Sequence, residues 1–169
     1  MKKKLFISNL AWDHKDFFKV EKLIKQYQFE GLDIAPLKIK NDWKNLNEIS
    51  KKNSKYFNHQ NIKINAIQGI FFKKNFNLFK KNKNHIEDIF NHTLNILKIC
   101  KIYKCEKVII GSSEFRKKGS INFKIADQIF INFFVRFKKI LNKKKIFLCL
   151  EAIPHQYNED FVYDFYHLL

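Results

Sequence analysis

The sequence predicts an α/β fold, a partial (β/α) TIM-type barrel in which about five βα units surround a parallel sheet. Short apolar, β-rich segments alternate with longer segments whose apolar residues have helical spacing, a pattern typical of βαβ units. The strands are nearly continuous apolar runs, as in parallel strands buried on both faces. A closed eight-unit barrel needs about 250 residues, whereas this chain has 169. We therefore expect a single, incomplete barrel domain over residues 1–169 that holds strands one to five.

The first two βα units are predicted over residues 4–57. Residues 4–10 form a β-rich first strand, and Asp16 is placed to cap a helix over residues 16–28. The apolar residues of that segment have the spacing of one helix face, namely Phe17, Val20, Leu23, Ile24 and Tyr27. A short second strand over residues 31–36 ends at a proline, and residues 42–57 predict the second helix. A doubly wound sheet is the alternative, but no glycine-rich phosphate loop follows the first strand.

Three further strands and their helices follow the same alternation. Residues 70–84 are predicted to form a loop that is held by aromatic residues, and a last helix is predicted to begin at residue 158. The other predicted elements are a third strand at 62–68, a long helix at 85–104, a fourth strand at 107–111, a helix at 121–141 and a fifth strand at 146–151.

The strongly basic composition raises the question of a nucleic-acid partner. The net charge is +17, but only Arg116 and Arg136 among the 33 basic residues are arginines. Arginine is the residue that most often forms bidentate hydrogen bonds with phosphates and bases. The lysines are interspersed with Asn, Ile and Phe, all of which have AT-rich codons, so genome composition explains the charge as well as a partner does. We therefore favour solvated surface lysines over a nucleic-acid face.

Cysteine usage and hydropathy predict a cytoplasmic protein without a membrane anchor. The three cysteines form no C-x-x-C pair and no disulfide framework, which favours a reducing compartment. The apolar run after the first lysines is too short for the core of a signal peptide. No stretch approaches the roughly 20 apolar residues of a membrane helix.

Polar residues at or just beyond the strand ends are the candidates for a functional site, because barrel active sites lie at the C-terminal ends of the strands. Glu151 closes an otherwise apolar strand, so its carboxylate needs a lysine, backbone N–H groups or a hard divalent cation. Asp33 alternates with Leu32 and Ile34, which directs it either to the barrel interior or into a structural salt bridge. The full set of strand-end candidates is Asn9, Asp33, Gln68, Ser112, Ser113 and Glu151.

Two further segments have weaker signals. Ser112 and Arg116, in a Gly-Ser-Ser-x-x-Arg segment, could hold a phosphate or a carboxylate, or could belong to a simple capped loop with a surface arginine. Gln68 could bind a substrate hydroxyl. His155, four residues beyond Glu151, is a secondary candidate, and no histidine has the spacing of a known zinc motif.

These strand ends, taken in order, resemble those of the sugar phosphate isomerase/epimerase family, which has a xylose-isomerase-like TIM barrel and belongs to the superfamily of AP endonuclease family 2. In the second strand, glutamate is commoner in that family than the Asp33 found here. The segments that carry the resemblance are Ile7 to Asp13, Gly31 to Pro36, Ile67-Gln68-Gly69, Gly111 to Arg116, and Leu148 to Pro154 with Tyr157 and Asp160 to Val162.

The resemblance implies an isomerase or epimerase that moves a proton next to a carbonyl of a sugar or sugar phosphate, with a divalent metal ion (Mn, Mg, Co or Zn). It implies that Glu151 is a metal ligand, that Glu151 and Asp33 are catalytic, and that the substrate contacts Asn9, Gln68, Ser112, Arg116 and His155. The family's other metal ligands lie on strands six to eight, so we expect a homo-oligomer or a completing chain.

Two other functions stay open at this stage. One is a non-catalytic, truncated barrel that serves as an interaction module. The other, less favoured, is a relative of the abasic-site endonucleases, which need histidines at the ends of strands three and four. Gln68 and Gly111-Ser112 occupy those positions here.

Overall fold

The computed structural model describes residues 4–157, 160–162 and 164. In this part of the chain, five parallel strands form a single sheet in the order 1-2-3-4-5. The strands are β1 (Phe6–Ser8), β2 (Gly31–Ile34), β3 (Lys63–Ile67), β4 (Lys107–Ile110) and β5 (Phe147–Leu150). The strand order never reverses, which is the arrangement of a barrel wall and not that of a doubly wound sheet. The predicted partial (β/α) barrel is confirmed.

The helices of the described residues are α1 (Phe17–Gln26), α2 (Pro36–Ile39), α3 (Leu46–His59), α4 (Lys83–Ile102), α5 (Phe123–Val135) and α6 (Lys138–Lys144). Single 3₁₀ turns occur at Asn9–Ala11, His14–Asp16, Glu114–Arg116 and His155–Tyr157. None of these helices is both long enough and apolar enough to cross a membrane. The helix predicted from residue 158 lies largely outside the described residues.

The helix predicted over residues 121–141 is divided into α5 and α6. Phe137 lies at the division and is fully buried against Phe90 and Phe133. Beside it, Arg136 pairs with Glu87 and lies over the ring of Phe90. Phe137 N–H donates to the Phe134 carbonyl, three residues earlier, at 3.0 Å, so the backbone between α5 and α6 is wound more tightly than an α-helix.

All helices lie on one face of the sheet, because right-handed crossovers that always advance in the same direction stay on one side. Under them, strand residues such as Leu32, Ile34, Val108 and Ile110 are buried in an apolar core that also contains Ile89 of α4. The opposite face is the one that would line the interior of a barrel. We call it the concave face.

Four helices end in the same turn before the next strand. In each six-residue turn, the backbone N–H of the sixth residue donates to the carbonyl of the first, and the fifth residue adopts a left-handed conformation. This combination defines a Schellman motif. The left-handed residues are Gln28, Asn61, Lys104 and Lys145. The bonded pairs are Phe29 with Ile24, Ile62 with Phe57, Cys105 with Cys100, and Ile146 with Leu141. This repeated turn fixes where each strand begins.

Replacing Lys104 by glycine is expected to stabilise the protein by about 0.5–1 kcal/mol. A left-handed backbone costs a residue with a Cβ about 1–2 kcal/mol, and the greater unfolded-state entropy of glycine offsets only part of this gain. The measurement is the urea midpoint. The matched control is Lys101→Gly, in the last helical turn of α4, which should instead destabilise by about 1 kcal/mol. Equal losses in both variants would contradict the interpretation.

Candidate functional site

A cluster of polar side chains lies on the concave face of the first four strands: Ser8, Asp33 and Gln68 lie toward the C-terminal ends of β1, β2 and β3, Asn65 lies within β3, and Lys107 begins β4. Asn65 donates a hydrogen bond to a carboxylate oxygen of Asp33 at 2.7 Å, and Lys107 donates to the Asn65 amide oxygen at 3.0 Å. The Gln68 amide donates to the Ser8 hydroxyl and lies 3.4 Å from the backbone carbonyl of Asp33. We call these five residues the concave-face cluster. Asp33 and Gln68, both predicted from the sequence, are thus brought together.

A β-bulge in β3 directs two of these side chains to the concave face. Leu32 pairs with Ile64 but the next residue, Asp33, pairs with Ala66, so Asn65 is an extra residue in β3. A bulge places two residues of one strand opposite a single partner. Asn65 therefore lies beside Asp33, and the alternation beyond the bulge is reversed, which turns Gln68 inward.

Sequence reasoning missed Ser8, Asn65 and Lys107 as members of this cluster. A signal was present for Asn65 and Lys107, because each is a polar residue that alternates with buried apolar neighbours in its strand. The alternative of a structural salt bridge for Asp33 is not what the structure has, since no ion pair among the described residues involves Asp33. Its carboxylate is instead held by a neutral amide.

Asn9 is buried and connects the ends of β1 and β2. Its amide nitrogen donates to the carbonyl of Ala35 at 3.2 Å, and its amide oxygen accepts from the Ala35 N–H at 2.7 Å. Both halves of the amide are thus engaged with backbone. The role in substrate binding stays a prediction, and the contacts shown are structural.

Asn9→Ala is expected to destabilise the protein by about 1–2 kcal/mol, because it leaves the backbone N–H of Ala35 without a partner, whereas the Ala35 carbonyl still accepts from the Lys38 N–H. Chemical denaturation measures this loss. Asn132→Ala, on the exposed face of α5, is the control and should change stability by less than about 0.5 kcal/mol. A small effect of Asn9→Ala would show that water or another group replaces the amide.

Glu151 lies directly after β5, and its carboxylate extends across the end of β4. A Cβ atom at Gly111 would lie only 2.0 Å from the Glu151 Oε2, so the absence of a side chain at Gly111 makes room for the carboxylate. The backbone N–H of Glu151 continues the sheet by donating to the Ile110 carbonyl at 3.1 Å. Among the described residues, no lysine or backbone N–H group binds the Glu151 side chain, which is exposed.

The ends of β3 and β4 enclose a cavity of about 250 Å³. It is lined by Gly69, Phe72, Gly111, Ser112 and Glu114, among others. The hydroxyl of Ser112 lies 3.4 Å from the N–H of Phe115 and accepts a weak hydrogen bond from it, as in the capped loop considered above. The lining thus combines the Ser112 hydroxyl and backbone of the two glycines with the apolar Phe72 and the Glu114 carboxylate.

Arg116 and His155 lie in two different turns. Arg116 ends the 3₁₀ turn after β4 and is fully buried, so it is not the surface arginine of the simple capped loop. His155 begins the 3₁₀ turn after β5 and is exposed. Their contribution to substrate binding stays a prediction.

The described residues do not form a complete binding site for a divalent metal ion. Among the described residues, no group of three His, Cys, Asp or Glu side chains is placed to hold one ion. A single carboxylate such as Glu151 binds Mg²⁺, Mn²⁺ or Zn²⁺ poorly, because these ions need several ligands at fixed positions. The described residues by themselves therefore do not supply the ligand set that such an ion needs.

Comparison with known proteins supports the fold and does not extend to a family. No protein-family model matches the chain, and no curated protein matches it. Solved structures do match. The 3-keto-D-glucoside 4-epimerase of E. coli has a TM-score of 0.66 at 9% identity, over 90% of this chain and 57% of the epimerase. An AP endonuclease family 2 protein of Brucella melitensis has a TM-score of 0.64 at 13% identity, over 92% and 57%.

A third match is the IOLI protein, solved with a bound zinc atom, with a TM-score of 0.62 at 12% identity over 88% of this chain and 51% of that protein. The chain thus spans about half the length of the solved structures it matches. The resemblance drawn from the strand ends is confirmed for the fold, which is that of a part of a (β/α) TIM-type barrel.

Proposed function

We propose that this chain forms the substrate-side part of a sugar or sugar-phosphate isomerase or epimerase site. The observation that carries the proposal is the concave-face cluster, in which a carboxylate, two amides, a hydroxyl and an ammonium group lie together. Ser8, Asp33 and Gln68 of this cluster lie toward the C-terminal ends of their strands, where barrel enzymes bind their substrates. The match to a sugar epimerase supports the general kind of activity.

The cluster has the chemistry that recognises a polyhydroxylated ligand. Carboxylate and amide oxygens accept hydrogen bonds from sugar hydroxyls, and amide and ammonium groups donate to them. In the proposal, Asp33 and Gln68 bind hydroxyls, while Ser112 and the loop around the strand-end cavity bind a phosphate. Arg116 would add positive charge behind that loop, and His155 would contact the substrate from the turn after β5.

Glu151 is proposed as the residue that moves the proton. Its carboxylate lies at the strand ends and has no hydrogen-bond donor among the described residues, so its lone pairs are available to a substrate or to an ion. A divalent metal would polarise the substrate carbonyl when bound. Glu151 would be one of its ligands, and the others would come from groups beyond the described residues, on a completing chain or a second copy.

Binding of D-fructose and D-fructose 6-phosphate, followed by chemical-shift changes in NMR spectra, tests this proposal. We expect the largest changes at Asp33, Gln68 and Ser112. Asp33→Asn should weaken binding about tenfold, which is about 1.4 kcal/mol, because the neutral amide accepts hydrogen bonds less strongly than the carboxylate. Asp127→Asn removes a negative charge from exposed α5 and is the control, with unchanged binding expected.

Unchanged binding in Asp33→Asn would contradict the sugar-binding proposal. Chemical-shift changes confined to the helix face of the sheet would contradict it as well. If DNA with abasic sites binds at these strand ends, the result would instead favour the alternative function of an abasic-site endonuclease. The absence of a nucleic-acid partner and the cytoplasmic location stay predictions.

A second candidate function, an interaction module, is favoured by the apolar surface along β5. A groove of about 900 Å³ lies between β5 and the helices α5 and α6, and Ile131, Val135 and Phe147 are more than half exposed along it. Burial of such a patch is a strong driving force for association. Sedimentation at increasing concentration tests this candidate: assembly that Ile131→Lys abolishes supports it, and a monomer at all concentrations contradicts self-assembly.

A further inference from the structure

We propose that Cys100 and Cys105 form a modification site, at which a low-molecular-weight disulfide such as oxidised glutathione converts the two thiols into an intramolecular disulfide. Their sulfur atoms lie 3.1 Å apart. The pair connects the last turn of α4 to the residue that precedes β4 by two positions, at the N-terminal end of β4.

The backbone brings the two residues together. Cys105 N–H donates to the Cys100 carbonyl at 3.1 Å, and Lys104 between them has the left-handed φ of 56°. This is the Schellman turn described above, in which the first and sixth residues regularly touch. At the three equivalent helix ends the same two positions hold apolar pairs without sulfur. The fold thus presents the two thiols side by side at one helix end out of four.

The burial of both cysteines is consistent with a purely structural role, but their hydrogen-bonding geometry indicates more than apolar packing. Both residues are buried, and buried cysteines often serve only as small apolar side chains. Purely apolar packing would not, however, require the two thiols to form hydrogen bonds. Here the Cys100 thiol lies 3.0 Å from the Cys105 carbonyl, and the two sulfurs are within hydrogen-bonding distance of each other. The hydrogen bond with Cys105 lowers the pKa of Cys100, and the same bond, with burial, raises the pKa of Cys105.

The chemistry follows from this asymmetry. The Cys100 thiolate attacks one sulfur of oxidised glutathione, the S–S bond of that molecule breaks, and one glutathione thiolate leaves. The Cys105 sulfur then loses its proton and attacks the Cys100 sulfur, which forms the protein disulfide and releases the second glutathione. Two protein thiols are oxidised and one glutathione disulfide is reduced to two thiols. Local opening of the helix end admits the reagent.

The test equilibrates the full chain with mixtures of reduced and oxidised glutathione, then counts free thiols after denaturation. We expect the three thiols to fall to one. Trypsin cleaves after Lys101 and Lys104, so a Cys100–Cys105 bond appears as two linked peptides in the unmutated protein. Cys149→Ser should lose both of its remaining thiols to a protein disulfide, whereas Cys105→Ala should form no protein disulfide and can lose only the Cys100 thiol, as a mixed disulfide with glutathione that mass spectrometry identifies.

Measuring disulfide formation in the native and the unfolded protein shows whether the fold, and not only the short sequence separation, favours the disulfide. We expect the equilibrium constant for the disulfide to be at least about tenfold larger in the native protein than in urea, because the fold holds the two sulfurs together. An equal or smaller constant in the native protein would overturn the proposal. So would three free thiols after equilibration, or a disulfide that includes Cys149.

Discussion

Gly31→Ala is expected to unfold the protein or to destabilise it by at least about 3 kcal/mol. Gly31 begins β2 and pairs with Lys63 of β3. A Cβ atom there would lie 1.7 Å from the backbone oxygen of Lys63 and 2.8 Å from its backbone nitrogen. Because the obstacle is backbone of the neighbouring strand, no side-chain rotation relieves the overlap, and the two strands must separate. Urea denaturation measures the loss.

Gly119→Ala is the control for this substitution. Gly119 has a φ of 59°, and a Cβ atom there would meet no atom within 4 Å. Its replacement therefore costs only the strain of the left-handed backbone, about 1–2 kcal/mol. If the two variants lost equal stability, the close approach of β2 and β3 at Gly31 would be disproved.

Acidification from pH 6.5 to pH 4 is expected to remove about 3 kcal/mol of stability through His92 alone. Burial, with a smaller effect of the nearby Lys74 charge, lowers the pKa of His92 to about 4, although its hydrogen bond to the Ile70 carbonyl acts in the opposite direction. Trp43, Phe71 and Phe76 surround the imidazole ring. The neutral ring holds the loop between β3 and α4 in place.

The direction of this pH dependence follows from proton binding. The unfolded histidine has the ordinary pKa of 6.5, so between pH 6.5 and 4 the unfolded state binds more protons than the native state. Stability is therefore complete above pH 6.5 and falls as the pH decreases through this window. The measurement is the unfolding free energy from urea titrations at several pH values.

His92→Gln removes the titrating group and should flatten the curve over this range, at some cost in stability at pH 7. His59→Gln changes an exposed histidine at the end of α3 and should keep the unmutated slope. A His92→Gln protein that loses as much stability on acidification as the original chain would show that other groups cause the dependence.

Much of the fold could be predicted from the sequence, because it depends on local patterns. The alternation of apolar runs with helical spacing indicated the five strands and the helices between them, and the loop after β3 was expected from its lack of either pattern. The helix boundaries differ by a few residues, as is usual where caps decide them. The break before Phe137 was missed, because it depends on contacts with Phe90 and Glu87 in a different helix.

The polar strand ends were also visible in the sequence, but their arrangement was not. Asp33, Gln68 and Glu151 could be named from their positions at the ends of apolar strands. Nothing local shows that Asn9 uses its whole amide on Ala35, or that Gly111 leaves room for the carboxylate of Glu151. Those contacts join residues 26 or more positions apart.

The orientation of Gln68 could not be predicted from the sequence, because it depends on strand pairing. Regular alternation from the outward-facing Ile64 would turn Gln68 toward the helices, away from Asp33. The extra residue Asn65 reverses the alternation and turns Gln68 to the concave face. The residue pattern was enough to predict that a polar residue directly follows β3. Which face it occupies depends on the pairing of β3 with β2, and pairing between strands is a non-local interaction that a residue pattern within one strand does not contain.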